Sequence, residues 1–222
     1  MTGTRIHFAA GLEGSEPAWR KLVNTISLDV FKADVVLPAG GLGAGDDEVG
    51  GWLALAAERL GAGDAPLYVL PGAGDGARLD ALLGAGAGGG PRLGALPRGP
   101  GDQACAARVA DPRGRPVALP GGLQLLAWPV GTSPEAGAAL TASVTDPRRT
   151  VLLADAAPGE IARVLHDLQP LLALHAHGAE GKTWVGDTLC LTPAGPVQPA
   201  AVRGWVIDVG DRGVTVAQPA QV

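Results

Sequence analysis

The N-terminal stretch opens with Arg5-Ile6-His7-Phe8-Ala9-Ala10 and passes through Gly11-Leu12-Glu13-Gly14-Ser15. It continues as Glu16-Pro17-Ala18-Trp19-Arg20-Lys21-Leu22-Val23-Asn24-Thr25-Ile26 and closes on Ala33-Asp34-Val35-Val36-Leu37. The first run is short and apolar and reads as a strand. Ser15 is placed to cap a helix, and Pro17 falls in the first turn, where its missing N–H costs little. Trp19, Leu22, Val23 and Ile26 recur at helical spacing, which predicts an amphipathic helix over 16–28. The run 33–37 suits a buried parallel strand. Strand, helix and buried strand in succession put the chain in the α/β class.

The same rhythm extends outward. A glycine-rich loop over 39–51 carries the acidic knot Asp46-Asp47-Glu48, followed by a helix over 52–60 stopped at Gly61. Residues 66–70 read as a third strand, a short helix is expected over 78–83, and 84–91 are expected to be mobile because glycine has the largest backbone entropy to lose. Then the pattern changes: 105–110, 117–119 and 123–128 read as strands joined by tight turns, one of them Pro112-Arg113-Gly114-Arg115. The βα alternation returns with a strand at 150–154, a helix at 158–168 and a strand at 171–174. The tail is all β: 183–185, 188–192, 202–209 and 213–217. This order predicts a four-layer αββα sandwich of two mixed β-sheets, built as a single domain over 1–222.

Composition narrows the function classes. Hydrophobic residues make up 46% and charged residues 18% of the 222 positions, which argues for a packed core and against disorder. The net charge is −5 and no basic run exceeds Arg148-Arg149, so no nucleic-acid partner is expected. Cys105 and Cys190 sit in no metal spacing, which fits reduced thiols in a cytoplasmic protein. The N-terminus lacks the apolar region of a secretory signal, and no apolar stretch is long enough for a membrane span.

The strand ends carry a resemblance. Gly11-Leu12-Glu13-Gly14-Ser15 with its following helix, Leu37-Pro38-Ala39-Gly40-Gly41-Leu42, Val69-Leu70-Pro71-Gly72-Ala73-Gly74-Asp75, Val151-Leu152-Leu153-Ala154-Asp155 and Leu174-His175-Ala176-His177-Gly178-Ala179-Glu180-Gly181 are similar, in order and spacing, to the strand-end motifs of the metallophosphoesterases (calcineurin-like phosphoesterases). Val185-Gly186-Asp187-Thr188-Leu189 through Pro193-Ala194-Gly195 is similar to that family's final motif. Active members place D-x-H, G-D, G-N-H-[DE], a lone His and G-H-x-H at these ends. Strand C-termini converge on one crevice, where such ligands hold two metals that activate water.

What the resemblance implies for this chain is a ligand set of Gly11, Glu13, Gly41, Ala73, Asp155, His177 and Ala179, with Asp75 matching the acidic residue of the third motif. Gly11, Gly41, Ala73 and Ala179 offer no side-chain ligand. His177 is kept, and Glu13 and Asp155 are carboxylates where the family has imidazoles. Gly41 stands where the metal-bridging Asp would be, and without it two cations a few Å apart repel each other. The residues expected at any vestigial site are His177, Asp155, Glu13 and Asp75, with no metal pair held. The implied function is a catalytically degenerate, metallophosphoesterase-like module that binds a protein partner or small ligand, or pairs with itself. The alternative is an active phosphoesterase rebuilt on those four residues around manganese or another divalent metal.

Three further signals bear on function. Residues 176–183 match a loose P-loop, and a nucleotide-binding module is a third reading. A P-loop must open a helix, whereas Thr183-Trp184-Val185 reads as a strand. His175 and His177 form an H-x-H that alternation would send to one face, a possible single-metal site with Asp155 or Glu13. Trp128, Trp184 and Trp205 are expected to pack a core or an interface.

Overall fold

The computed structural model describes residues 3–10, 12, 14–41, 51–52, 55–56, 59–60, 65–73, 75–77, 79, 92–94, 109–157, 159, 161–193 and 202–221. The expectations for 46–48, for 84–91, for 105–108 and for the cap at 61 lie outside them.

The opening βαβ unit forms as read. Strand β1 (Thr4–Ala10) leads to helix α1 (Glu16–Ser27) and then to β2 (Val35–Gly40). Ser15 caps α1, its hydroxyl accepting the Ala18 N–H at 3.4 Å, with Pro17 in the first turn. Helical residues follow at 51–52, 55–56 and 59, and again at 76–77 and 79. The third strand is split into β3 (Leu67–Tyr68) and β4 (Leu70–Pro71), both pairing in parallel with β2. The middle section supplies β5 (Arg92–Gly94), β6 (Val109–Asp111), β7 (Val117–Ala118) and β8 (Gln124–Trp128). Next come α2 (Pro134–Ala142), β9 (Thr150–Ala154), α3 (Ala162–Leu168) and β10 (Leu172–His175). The tail is β11 (Gly181–Val185), β12 (Thr188–Thr192), β13 (Arg203–Gly210) and β14 (Gly213–Gln221).

Two mixed sheets result. One runs β14-β13-β1-β2-β3-β6-β5, with β4 also on β2, and the other runs β11-β12-β10-β9-β8-β7. The strands β1, β2 and β3 are parallel in the first, and β8, β9, β10 and β12 in the second. Alternation along each strand separates three apolar layers. Ile6, Phe8, Leu37, Leu125, Leu153, Leu174, Leu191 and Ile207 fill the space between the sheets. Trp19, Leu22, Val23 and Ile26 of α1 pack with Ala9, Val36 and Trp52 on the outside of the first sheet. Leu140 of α2 and Leu165 and Leu168 of α3 pack with Leu126, Leu152 and Ala173 on the outside of the second. The αββα order is therefore the direct outcome of the period-2 and period-3.6 apolar patterns.

The relative direction of the sheets follows from contacts at one rim. The Thr4 hydroxyl, at the start of β1, donates to Pro120 O (2.9 Å), just before β8. Arg149, just before β9, donates to Gly210 O (3.4 Å) at the far end of β13, which runs antiparallel to β1. The N-terminal ends of the parallel strands of both sheets thus share one rim, and their C-terminal ends share the opposite one.

Helix α2 was not anticipated from the sequence. Its start, Ser133-Pro134-Glu135, repeats the cap chemistry of α1, the Ser133 hydroxyl accepting the Ala136 N–H at 3.2 Å. Its body is glycine- and alanine-rich and buries only Gly137 and Leu140, so it shows no apolar period. No described helix is long and apolar enough to cross a membrane.

Candidate strand-end site

The first sheet ends in loops stitched together by backbone. The Gly14 N–H donates to Gly41 O and the Gly72 N–H to Gly40 O, both at 3.1 Å. A Cβ on Gly72 would lie 3.0 Å from Gly41 N, so a bare backbone is what permits this approach. Gly41 and Ala73 bring no ligating side chain to this rim. Asp75 is buried. Its N–H donates to Gly72 O (3.2 Å) and its carbonyl accepts the Leu79 N–H (3.0 Å), which sets the helical turn at 76–79. Arg113, which spacing did not single out, donates from its guanidinium to Gly76 O at 3.2 Å. The only sign of it in the sequence is its place in the Pro112-Arg113-Gly114-Arg115 turn.

The second sheet contributes the ionisable cluster. Asp155 follows β9 directly and is buried, its N–H donating to Trp128 O at 3.1 Å. His177 lies beyond β10, with 53% of its side chain exposed, and its Nε2 stands 2.8 Å from Asp155 Oδ1. His175 closes β10 and is fully buried, with Nδ1 3.1 Å from Ala156 O. Burial pushes its pKa below the usual histidine value, against the opposing pull of the Ala156 carbonyl.

The two histidines thus serve different partners. One pins the β10 end to the 156 loop, and the other faces solvent with a buried carboxylate behind it. The chain leaves the strand after His175, so simple alternation does not carry through to His177.

Of the four residues expected at a vestigial site, Asp155 and His177 come together, Asp75 takes part in the turn after β4, and Glu13 lies outside the described residues, as does Gly11. Ala179 is exposed and carries no donor. Among the described residues no three His, Cys, Asp or Glu side chains gather closely enough to hold an ion. The donors among the described residues do not by themselves make up a two-metal centre, which needs a bridging carboxylate and three or four ligands per ion. The loose P-loop does not open a helix: residues 181–185 are strand β11, antiparallel to β12. Trp205 packs between the sheets and Trp128 against the outer layer of the second sheet, whereas Trp184 is 61% exposed.

Two mixed sheets face to face, helices outside, and loops converging at a shared C-terminal rim define a metallophosphatase-like α/β sandwich. Solved structures share it from end to end. TT1561 of Thermus thermophilus superposes with a TM-score of 0.67 at 14% identity, with 99% of each chain covered. A hypothetical protein from the same organism gives 0.56 at 15% identity, again over 99% of both chains. GAP50, described as the anchor in the inner membrane complex of Plasmodium, gives 0.55 at 9% identity, covering 100% of this chain and 90% of that one. At these identities the likeness is one of fold. No family sequence profile and no curated protein matches the chain.

Proposed function

We propose that this chain is a metallophosphoesterase-like protein that binds a partner or small ligand and does not hydrolyse phosphoesters through a metal pair. The observation that supports this reading most is the chemistry at the shared rim. Gly41, Ala73 and Ala179 supply no donor, and the buried Asp155 carboxylate is engaged by His177 at 2.8 Å. A bridging acid is what makes two neighbouring cations tolerable, because it offsets a repulsion that a poorly screened cleft leaves large. That GAP50 is described as an anchor is in keeping with a binding role for a scaffold of this shape.

The test is metal content together with turnover. Protein purified from medium supplemented with manganese and zinc is expected to carry no stoichiometric metal pair. It is expected to leave bis-p-nitrophenyl phosphate intact with manganese added, and to show no metal-dependent rise in Tm. Two bound metals per chain, or turnover lost in His177→Ala, would overturn the reading. Either result would favour an active site rebuilt on Glu13, Asp75, Asp155 and His177.

A further inference from the structure

His7 occupies the middle of β1, opposite Val206 of β13 and Val36 of β2. Ile6 and Phe8 point between the sheets while Ala9 belongs to the outer layer, so His7 faces outward, beneath the connection from α1 to β2. It is 1% exposed, and its Nδ1 has no hydrogen-bond partner among the described residues. Phe31 covers it edge-on, with ring centroids 4.4 Å apart. The space beside the ring amounts to about 10 Å³ and is lined by Thr25, Ile26, Asp29, Lys32 and Ala65 among others, room for roughly one water.

The connection itself carries backbone strain and exposed apolar side chains. Asp29 (φ 50°) and Lys32 (φ 48°) both adopt left-handed backbone, which non-glycine residues occupy at a cost. Leu28 and Val30 are exposed by 74% and 56%. Its backbone bonds run mostly to α1 or within itself: Leu28 N–H to Asn24 O, Asp29 N–H to Ile26 O, Val30 N–H to Thr25 O and Lys32 N–H to Asp29 O; Asp34 N–H to Arg5 O ties its end to β1.

We propose that His7 is an acid-sensitive latch: a proton on its ring releases residues 28–34 from the sheet. A charged imidazole cannot be hydrated in a one-water space, so it gains its solvation only if the connection lifts away. Among the described residues, the charged groups facing the cavity are Asp29 and Lys32, one of each sign. The elements on its other sides present Thr25 and Ile26 from α1 and Val36 from β2, none of them ionisable. Asp34, the next charge along, accepts the Arg5 backbone N–H, and the Arg5 guanidinium is held by Asp208.

Desolvation therefore decides the balance, lowering the His7 pKa to about 4 from the ordinary 6.5. The depressed value means the closed state loses stability as pH falls from 6.5 toward 4. Linkage raises the opening constant about 70-fold from about pH 7.5 to about pH 4.5.

Amide hydrogen exchange, corrected for intrinsic rates, tests this on the full chain. Protection at Val30 and Asp34 is expected to drop about 70-fold over that pH range relative to Leu152 and Ile207 in the sheets. His7→Leu should abolish the drop. Should His7→Leu fail to fold, His7→Gln serves the same purpose, and the wild-type His7 ring should titrate near pH 4 by NMR. Protection that does not change, that falls equally in the sheets, or that still falls in the variant would overturn the latch, as would a ring that titrates near 6.5.

Discussion

Gly204→Ala is expected to be among the most costly single-methyl changes in this protein. Gly204 sits opposite Ala9 in the β1–β13 ladder. A Cβ there would lie 1.8 Å from Phe8 O and 2.9 Å from Phe8 C, both backbone atoms of the adjacent strand. No side chain can swing aside, so β13 must move away from β1 by well over 1 Å to restore contact distance. That shift breaks two or three ladder hydrogen bonds at about 1 kcal/mol each. Strain in the surrounding core adds about 1–3 kcal/mol. The reduced entropy of the unfolded chain offsets about 0.5–1 kcal/mol. The net loss is about 2–5 kcal/mol, which lowers the urea midpoint by about 1–2 M at an m of about 2–3 kcal/mol/M. Gly51→Ala is the control: nothing lies within 4 Å of its added Cβ, and residue 51 is helical, so it should raise the midpoint slightly. A Gly204→Ala protein within about 1 kcal/mol of wild type would refute the argument that the β1–β13 contact is rigid.

The Asp208 carboxylate is held below its ordinary pKa by its hydrogen bond to Arg5, with Nε–Oδ1 at 2.6 Å across β1 and β13. Its contribution is therefore present at neutral pH and lost as pH falls through the folded-state value. Because the pair is partly exposed, Asp208→Asn should cost only about 1 kcal/mol near pH 7, less in high salt, and nothing at strongly acidic pH. Denaturation midpoints across pH check both signs. Burial drives the Cys190 thiol up to about 11, so in a Cys105→Ser background it should ignore a thiol reagent such as DTNB until the chain unfolds. Fast labelling of the native protein would show that the outer layer of the second sheet opens readily.

Much of the architecture was legible in the sequence because burial imposes a period. In β1, β9, β10 and β12 apolar runs of strand length end at turn residues, and in α1 four apolar residues recur around one face. Helix α2 was missed because Gly137 packs directly beneath the Trp128 ring, where a Cβ would come within 2.5 Å. A helix that needs a small residue at its contact shows no hydrophobic stripe. The third strand reads as continuous, and its sides do alternate, Leu67 and Val69 outward and Tyr68 and Leu70 inward, with one register against β2; only the pairing lapses at Val69. At the candidate site, ligand positions could be placed by motif spacing, yet spacing could not show that His175 bonds a carbonyl while His177 meets Asp155. Both partners come from the single loop that follows β9, Ala156 lying 19 residues before His175.

The five tryptophans report on different parts of this molecule. Trp19 and Trp52 stack with ring centroids 3.9 Å apart and planes 6° from parallel in the layer outside the first sheet. Trp205 lies between the sheets, Trp128 borders the third apolar layer, and Trp184 meets water. Each hydrophobic interface thus carries its own fluorophore, with one solvent reference beside them. Single-tryptophan versions could follow, layer by layer, the order in which the sandwich comes apart.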